Sequence, residues 1–152
     1  MADREEVLEA LRDIGTQADQ DIDIGEAALL LAALDRPGEH LDSYRQQLIE
    51  IASDTRTATA RTHSVDMQVA ALVDVLVSRW EFRGDTDTYD DMRNANLMYV
   101  LERRRGLPVA LGILYMHAVR GFGGRVAGLA FPAHFCVRIE ARGQRLIIDP
   151  FE

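Results

Sequence analysis

The sequence predicts an α+β fold in which an N-terminal bundle of about four helices leads into a central buried helix packed on a small antiparallel sheet. Three observations point there. Apolar residues recur at three- and four-residue spacing through the first half, a polar turn-rich segment follows at 84–91, and the last third alternates apolar and polar residues. At 152 residues the chain fits a single domain, 1–152, with a helical part at 1–83 and a core at 92–152.

In the helical part, Val7, Leu11 and Ile14 mark the first helix. Ala27, Leu30, Leu31 and Leu34 mark a second, opened by a capping-box pattern from Asp23 to Glu26 and closed by Arg36, Pro37 and Gly38. Leu41, Tyr44, Leu48 and Ile51 give the third. The fourth carries the most regular stripe, Val69, Leu72, Val73, Leu76, Val77 and Trp80, and ends near Gly84. The acids of the 84–91 loop do not fit a calcium loop, because Asp90 and Asn96 fall where a glycine and a glutamate are required.

Beyond the loop, Asn96 is a candidate cap for a helix bearing Leu97, Val100 and Leu101, with Gly106 as its stop. Pro108 suits the first position of the next helix, which runs to about Arg120 and is apolar nearly all round, as a central helix must be. Strands follow at 125–131, 133–141 and 144–149. In the middle strand Phe135, Val137 and Ile139 face one way and His134, Cys136, Arg138 and Glu140 the other. Arg142 and Gly143 form the turn between the last two.

A hairpin symmetric about that turn sets Glu140 opposite Arg145, Arg138 opposite Ile147 and Cys136 opposite Asp149. Asp149 then shares a sheet face with His134, as its diagonal neighbour. A carboxylate beside an imidazole fixes the tautomer and stabilises the imidazolium, the orienting role in nucleophile–His–Asp triads. On geometry alone the plainer reading comes first: a solvated His134 and a turn-forming Asp149 before Pro150. A longer loop would place the two on opposite faces.

Composition excludes several functions. The first 54 residues hold 14 acids against 4 arginines, so nucleic acid is a poor partner, and no apolar run reaches membrane-spanning length. All basic side chains other than histidine are arginine, which removes Schiff-base and P-loop lysine chemistry. Cys136 is the only cysteine and the four histidines are scattered, so no metal-ligand spacing is read along the chain and no cofactor is expected. The acidic start lacks a basic region followed by an apolar run, and a cytoplasmic location is expected.

Three ordered motifs, NANLMYVLERRRGLPVAL at 94–111, FPAHFCVR at 131–138 and IDPF at 148–151, resemble the SirB-type transglutaminase-like family of bacteria. EAAL at 26–29 also fits, and the resemblance covers the chain from about Asp21 onward. It implies a papain- or transglutaminase-like core, in which catalytic relatives place a cysteine at the start of the central helix, a histidine on a strand and an aspartate on the next. His134 and Asp149 match the second and third positions as a vestigial pair. Leu107, Pro108 and Val109 occupy the first, and none is a nucleophile. The resemblance further implies that members have generally lost this cysteine and commonly continue into tetratricopeptide-like repeats, so a shortened chain or a short member is expected.

The expected function is a non-catalytic binding or regulatory module for a protein or peptide partner, its cleft built from His134, Asp149, Asn94, Asn96 and Cys136. Two alternatives stand beside it. One is a hydrolase or acyltransferase using Cys136 as a displaced nucleophile or the His134/Asp149 pair as a base acting on water. The other is a purely structural role for the acidic helical half.

Overall fold

A computed structural model describes residues 3–132, 134–141 and 143–151. Ala133 and Arg142, expected at a strand start and in the hairpin turn, lie outside the described residues. The fold is α+β. Helices α1 (Arg4–Gly15), α2 (Ile24–Asp35), α3 (Asp42–Thr59) and α4 (Val65–Val73) form the helical part. Asp23 caps α2 by accepting from the Glu26 N–H at 3.1 Å. The buried side of α2 is Leu29, Leu30, Ala32 and Ala33, while Leu31, placed in the stripe by spacing, is 56% exposed. A helix rich in alanine and leucine all round leaves the phase of its stripe poorly defined.

Two further differences have local causes. Thr55 and Thr59 extend the buried stripe of α3, their hydroxyls donating to the carbonyls of Ile51 and Thr55 at 2.8 and 2.9 Å. Back-bonding to the preceding turn removes the cost of burying a hydroxyl. After Val73 the fourth helix widens into a π segment, Asp74–Arg79, and the Trp80 N–H reaches the Val75 carbonyl. The wider turn breaks the 3.6-residue phase, which turns Val77 to solvent while Val75 and Leu76 stay in the core.

A two-residue parallel bridge joins β1 (Arg83–Gly84) to β2 (Arg105–Gly106). Between them lies α5 (Leu97–Arg103), capped by the Asn96 side chain on the N–H groups of Met98 and Tyr99. Its stop is Arg104, in the left-handed region at φ 62°, and Gly106 belongs to β2. Arg104 sustains that conformation by laying its guanidinium over Trp80 and Phe82, 4.8 and 5.0 Å from the ring centroids.

Helix α6 (Pro108–Gly121) is central, with Pro108 in its first turn and contacts to α2, α3 and the sheet. Strands β3 (Arg125–Phe131), β4 (His134–Ala141) and β5 (Gln144–Ile148) pair antiparallel in that order. Phe135 joins helix to sheet: its ring fills the space a Cβ would need at Gly112 of α6 and lies 2.6 Å from an ideal Cβ at Gly128 of β3. The β4–β5 register pairs Arg138 with Ile147 and Glu140 with Arg145, as the hairpin symmetry requires. One hydrophobic cluster runs from Val7 of α1 to Ile139 of β4. Among the described residues, no helix is long and apolar enough to cross a membrane.

Candidate functional site

The register that pairs Val137 with Ile148 carries Asp149 one step past β5, on the face of β4 that holds His134 and Cys136. His134 Nε2 and Asp149 Oδ2 meet at 2.6 Å. Asp149 is fixed from behind, its Oδ1 accepting from the Phe151 N–H at 3.0 Å. Phe151 is itself wedged: an ideal Cβ on Gly84 would lie 2.5 Å from its ring, and Tyr89 meets it edge-on at 5.8 Å. Glycine at 84 is therefore what lets the IDPF segment close against β1 and hold the carboxylate in place.

With Asp149 accepting at Nε2, neutral His134 carries its proton there and presents the Nδ1 lone pair. The imidazole is accessible, with 45% of the side chain exposed against 21% for Asp149. Cys136, between its cross-strand neighbour Leu129 and Asp149, is only 5% exposed. Burial, and then the Asp149 carboxylate, push its thiol above the ordinary range, so it stays protonated at neutral pH. Tyr115 of α6 is pushed up to about 12, by burial first and by Asp149 second.

His134, Cys136 and Asp149 each offer a ligand-type atom, and these all lie within 4.8 Å of one another. Nothing in the linear spacing of the histidines announces this group, because strand pairing creates it. A cavity of about 100 Å³ behind Asp149 is lined by Val73, Tyr115, Ile148 and Phe151 among others. A larger hollow of about 420 Å³, lined by Arg125, Glu140, Gln144 and Arg145, includes neither His134 nor Cys136.

Asn94 and Asn96 are held elsewhere. Asn94 is fully buried, its amide donating to the Thr88 and Tyr89 carbonyls at 2.8 and 3.3 Å and accepting from Arg103 at 3.1 Å. Asn96, besides capping α5, donates to the Ala32 carbonyl of α2 at 3.1 Å. Their side chains position backbone rather than face solvent. The Asn94 carbonyl also takes the Leu107 N–H at 3.0 Å, which sets the entry to α6.

Asp85 is a buried structural residue that no sequence motif announces. Its Oδ1 accepts from the N–H groups of Asp87 and Thr88, and its Oδ2 from the Thr88 hydroxyl and from Arg103 at 3.2 Å. These bonds hold its carboxyl far below the usual range, the Thr88 hydroxyl contributing most. Nearby Asp91 is lowered to about 2, chiefly by its ion pair with Arg93 at 2.6 Å. Asp85 and Asp91 organise the backbone of this loop, and the turn-forming residue types are the only signal the sequence carried.

The chain belongs to the transglutaminase-like superfamily, whose family model matches residues 42–152, a span that takes in the central helix, the three-stranded sheet and the His134–Asp149 pair. The chain is similar to UPF0162 proteins of bacteria. It is 30% identical to that of Vibrio cholerae over 88% of the chain and 51% of the relative, and 28% identical to that of Xylella fastidiosa strain Temecula1 over 95% and 52%. It thus spans about half the length of the curated relatives it matches. A segment covering 51% of the chain is also 30% identical to 12% of mouse F-box only protein 21. No solved structure matches the chain.

Proposed function

We propose that this chain is a non-catalytic transglutaminase-like domain of the SirB type, which uses the His134–Asp149 face to bind a protein or peptide partner. The observation that carries the reading is the start of α6. There Leu107 leads into Pro108, which has neither a nucleophilic atom nor an N–H, at the position where a cysteine of catalytic relatives would gain activation from the helix terminus. The remaining thiol, Cys136, is buried and held protonated. What persists is an oriented imidazole on a face that also carries exposed Phe131, the cross-strand partner of His134, and exposed Ile147. Exposed apolar groups beside a hydrogen-bonding ring suit a peptide segment.

The similarity to bacterial UPF0162 proteins, about half of whose length the chain spans, and the match to a short part of F-box only protein 21 support a domain that works inside larger proteins. A cytoplasmic site of action accords with a single unpaired cysteine. The acidic balance of the chain argues for a protein partner over nucleic acid. Purified protein is expected to show no peptidase, amidase or acyl-transfer turnover, and its partner capture is expected to fall on His134→Ala. Turnover that disappears in His134→Ala would refute the proposal.

One observation favours a second reading. The Cys136 sulfur lies within 4.8 Å of ligand-type atoms of both His134 and Asp149, so a triad displaced from the helix onto the strand has its members together. It requires a reactive thiolate. Alkylation of the native protein by iodoacetamide faster than a free thiol would support it, and slower alkylation would remove it.

A further inference from the structure

We propose that His134, Cys136 and Asp149 form a binding site for a divalent transition metal of the zinc and cobalt class. The inference rests on the binding reading of the His134–Asp149 face and names a ligand class for it. The donor set is a nitrogen, a sulfur and a carboxylate oxygen. Their ligand-type atoms already lie within 4.8 Å of one another. Tetrahedral coordination at bond lengths of roughly 2.0–2.3 Å needs ligand atoms about 3.3–3.7 Å apart, so His134 Nε2 and Asp149 Oδ2, now 2.6 Å apart, would separate by about an ångström to admit the ion.

The backbone makes this convergence a property of the fold. His134 and Cys136 are two apart on β4 and share a face, and the β4–β5 register brings Asp149 to the same face from across the hairpin. Asp149 arrives supported, since the Phe151 N–H holds Oδ1 and leaves Oδ2 directed at the imidazole. A metal would take the place of the proton now shared between His134 Nε2 and Asp149 Oδ2. The imidazole proton moves to Nδ1, the thiol proton leaves to solvent, and the ion is held by a neutral imidazole, a thiolate and a carboxylate. Mixed nitrogen and sulfur donors select zinc or cobalt over magnesium or calcium, which require oxygen shells. With three protein ligands and an imidazole edge open to solvent, the fourth position is left for water or for a donor group of the partner.

Cobalt(II) reports each ligand class in its absorption spectrum, and it can be titrated into the full chain. The wild type is expected to develop intense visible bands of tetrahedral cobalt together with a near-ultraviolet thiolate-to-cobalt band, both bleached by zinc. Cys136→Ser should lose the thiolate band and bind cobalt more weakly, His134→Ala should lose both features, and His40→Ala, at an exposed histidine between α2 and α3, should change neither. Cys136→Ala, with far-ultraviolet circular dichroism of every variant, separates ligand loss from misfolding. A wild-type spectrum without the thiolate band, or bands indifferent to Cys136→Ser and His134→Ala, overturns the metal site and leaves the binding reading standing. Turnover lost in His134→Ala overturns the binding reading whatever the cobalt spectrum shows.

Discussion

The polar cluster at Asp85, Asn94 and Arg103 and the one at His134, Cys136 and Asp149 differ in what their atoms have left to do. In the first, both carboxylate oxygens of Asp85 and both amide atoms of Asn94 are bonded within the chain. In the second, a single contact of 2.6 Å joins His134 to Asp149, and the ring remains open to solvent. A saturated network in a low-dielectric setting holds backbone, whereas an unspent lone pair at a surface, as at His134 Nδ1, is available to a ligand. Residue type alone does not separate the two, since the asparagines look as ligand-ready as the histidine until their partners are known.

That contrast sets the order of the expected effects. Asn94→Ala strands the Thr88 and Tyr89 carbonyls and leaves Arg103 only its hydrogen bond to Asp85, and should cost about 3 kcal/mol in urea unfolding, with the slope unchanged. Phe151→Ala empties the wedge over Gly84 and should cost about 2–3 kcal/mol, because the ring is only partly buried. It should also free Asp149, visible as a change in the His134 ring resonances by NMR. His134→Ala, by comparison, should alter stability by less than about 1 kcal/mol, since the pair it breaks is exposed. Equal losses at Asn94 and His134 would collapse the distinction between the clusters.

The acid response should fall on the first cluster as well. Asp91 has a folded pKa of about 2, below its unfolded value of about 3.9. Its contribution is therefore complete above about pH 4 and is lost as pH falls through about 2. Asp85, lowered further, follows at still lower pH. The Thr88 and Arg93 amide resonances, whose N–H groups bond these carboxylates, should hold steady from pH 7 to about 4 and move below it. In Asp91→Asn the acid shift at Arg93 should vanish.

Much of the core could be read from the sequence because its signals were local. Asn96 as a cap, Pro108 as a helix start and the Glu140–Arg145 pair across the hairpin each involve neighbours whose spacing is fixed by helix or strand geometry. The hairpin then carried His134 and Asp149 to one face without any further information. What stayed hidden depends on distant partners. Cys136 alternates onto the face that sequence pattern calls solvated, yet Leu129 and Asp149 from the flanking strands border it there. Asp85 ties its local turn to Arg103, 18 residues on, a partner that spacing does not reveal, and the π segment after Val73 has no residue signature that spacing alone detects. Thr55 and Thr59 pass as surface residues unless the bond to the preceding turn is considered.

The proposal that this domain binds rather than cuts is tested most directly by assaying wild-type and His134→Ala proteins side by side on peptide, amide and acyl-transfer substrates. The start of α6 and the buried thiol of Cys136 predict that both proteins stay at the uncatalysed background. Measurable turnover by the wild type that is lost in a folded His134→Ala protein would contradict it.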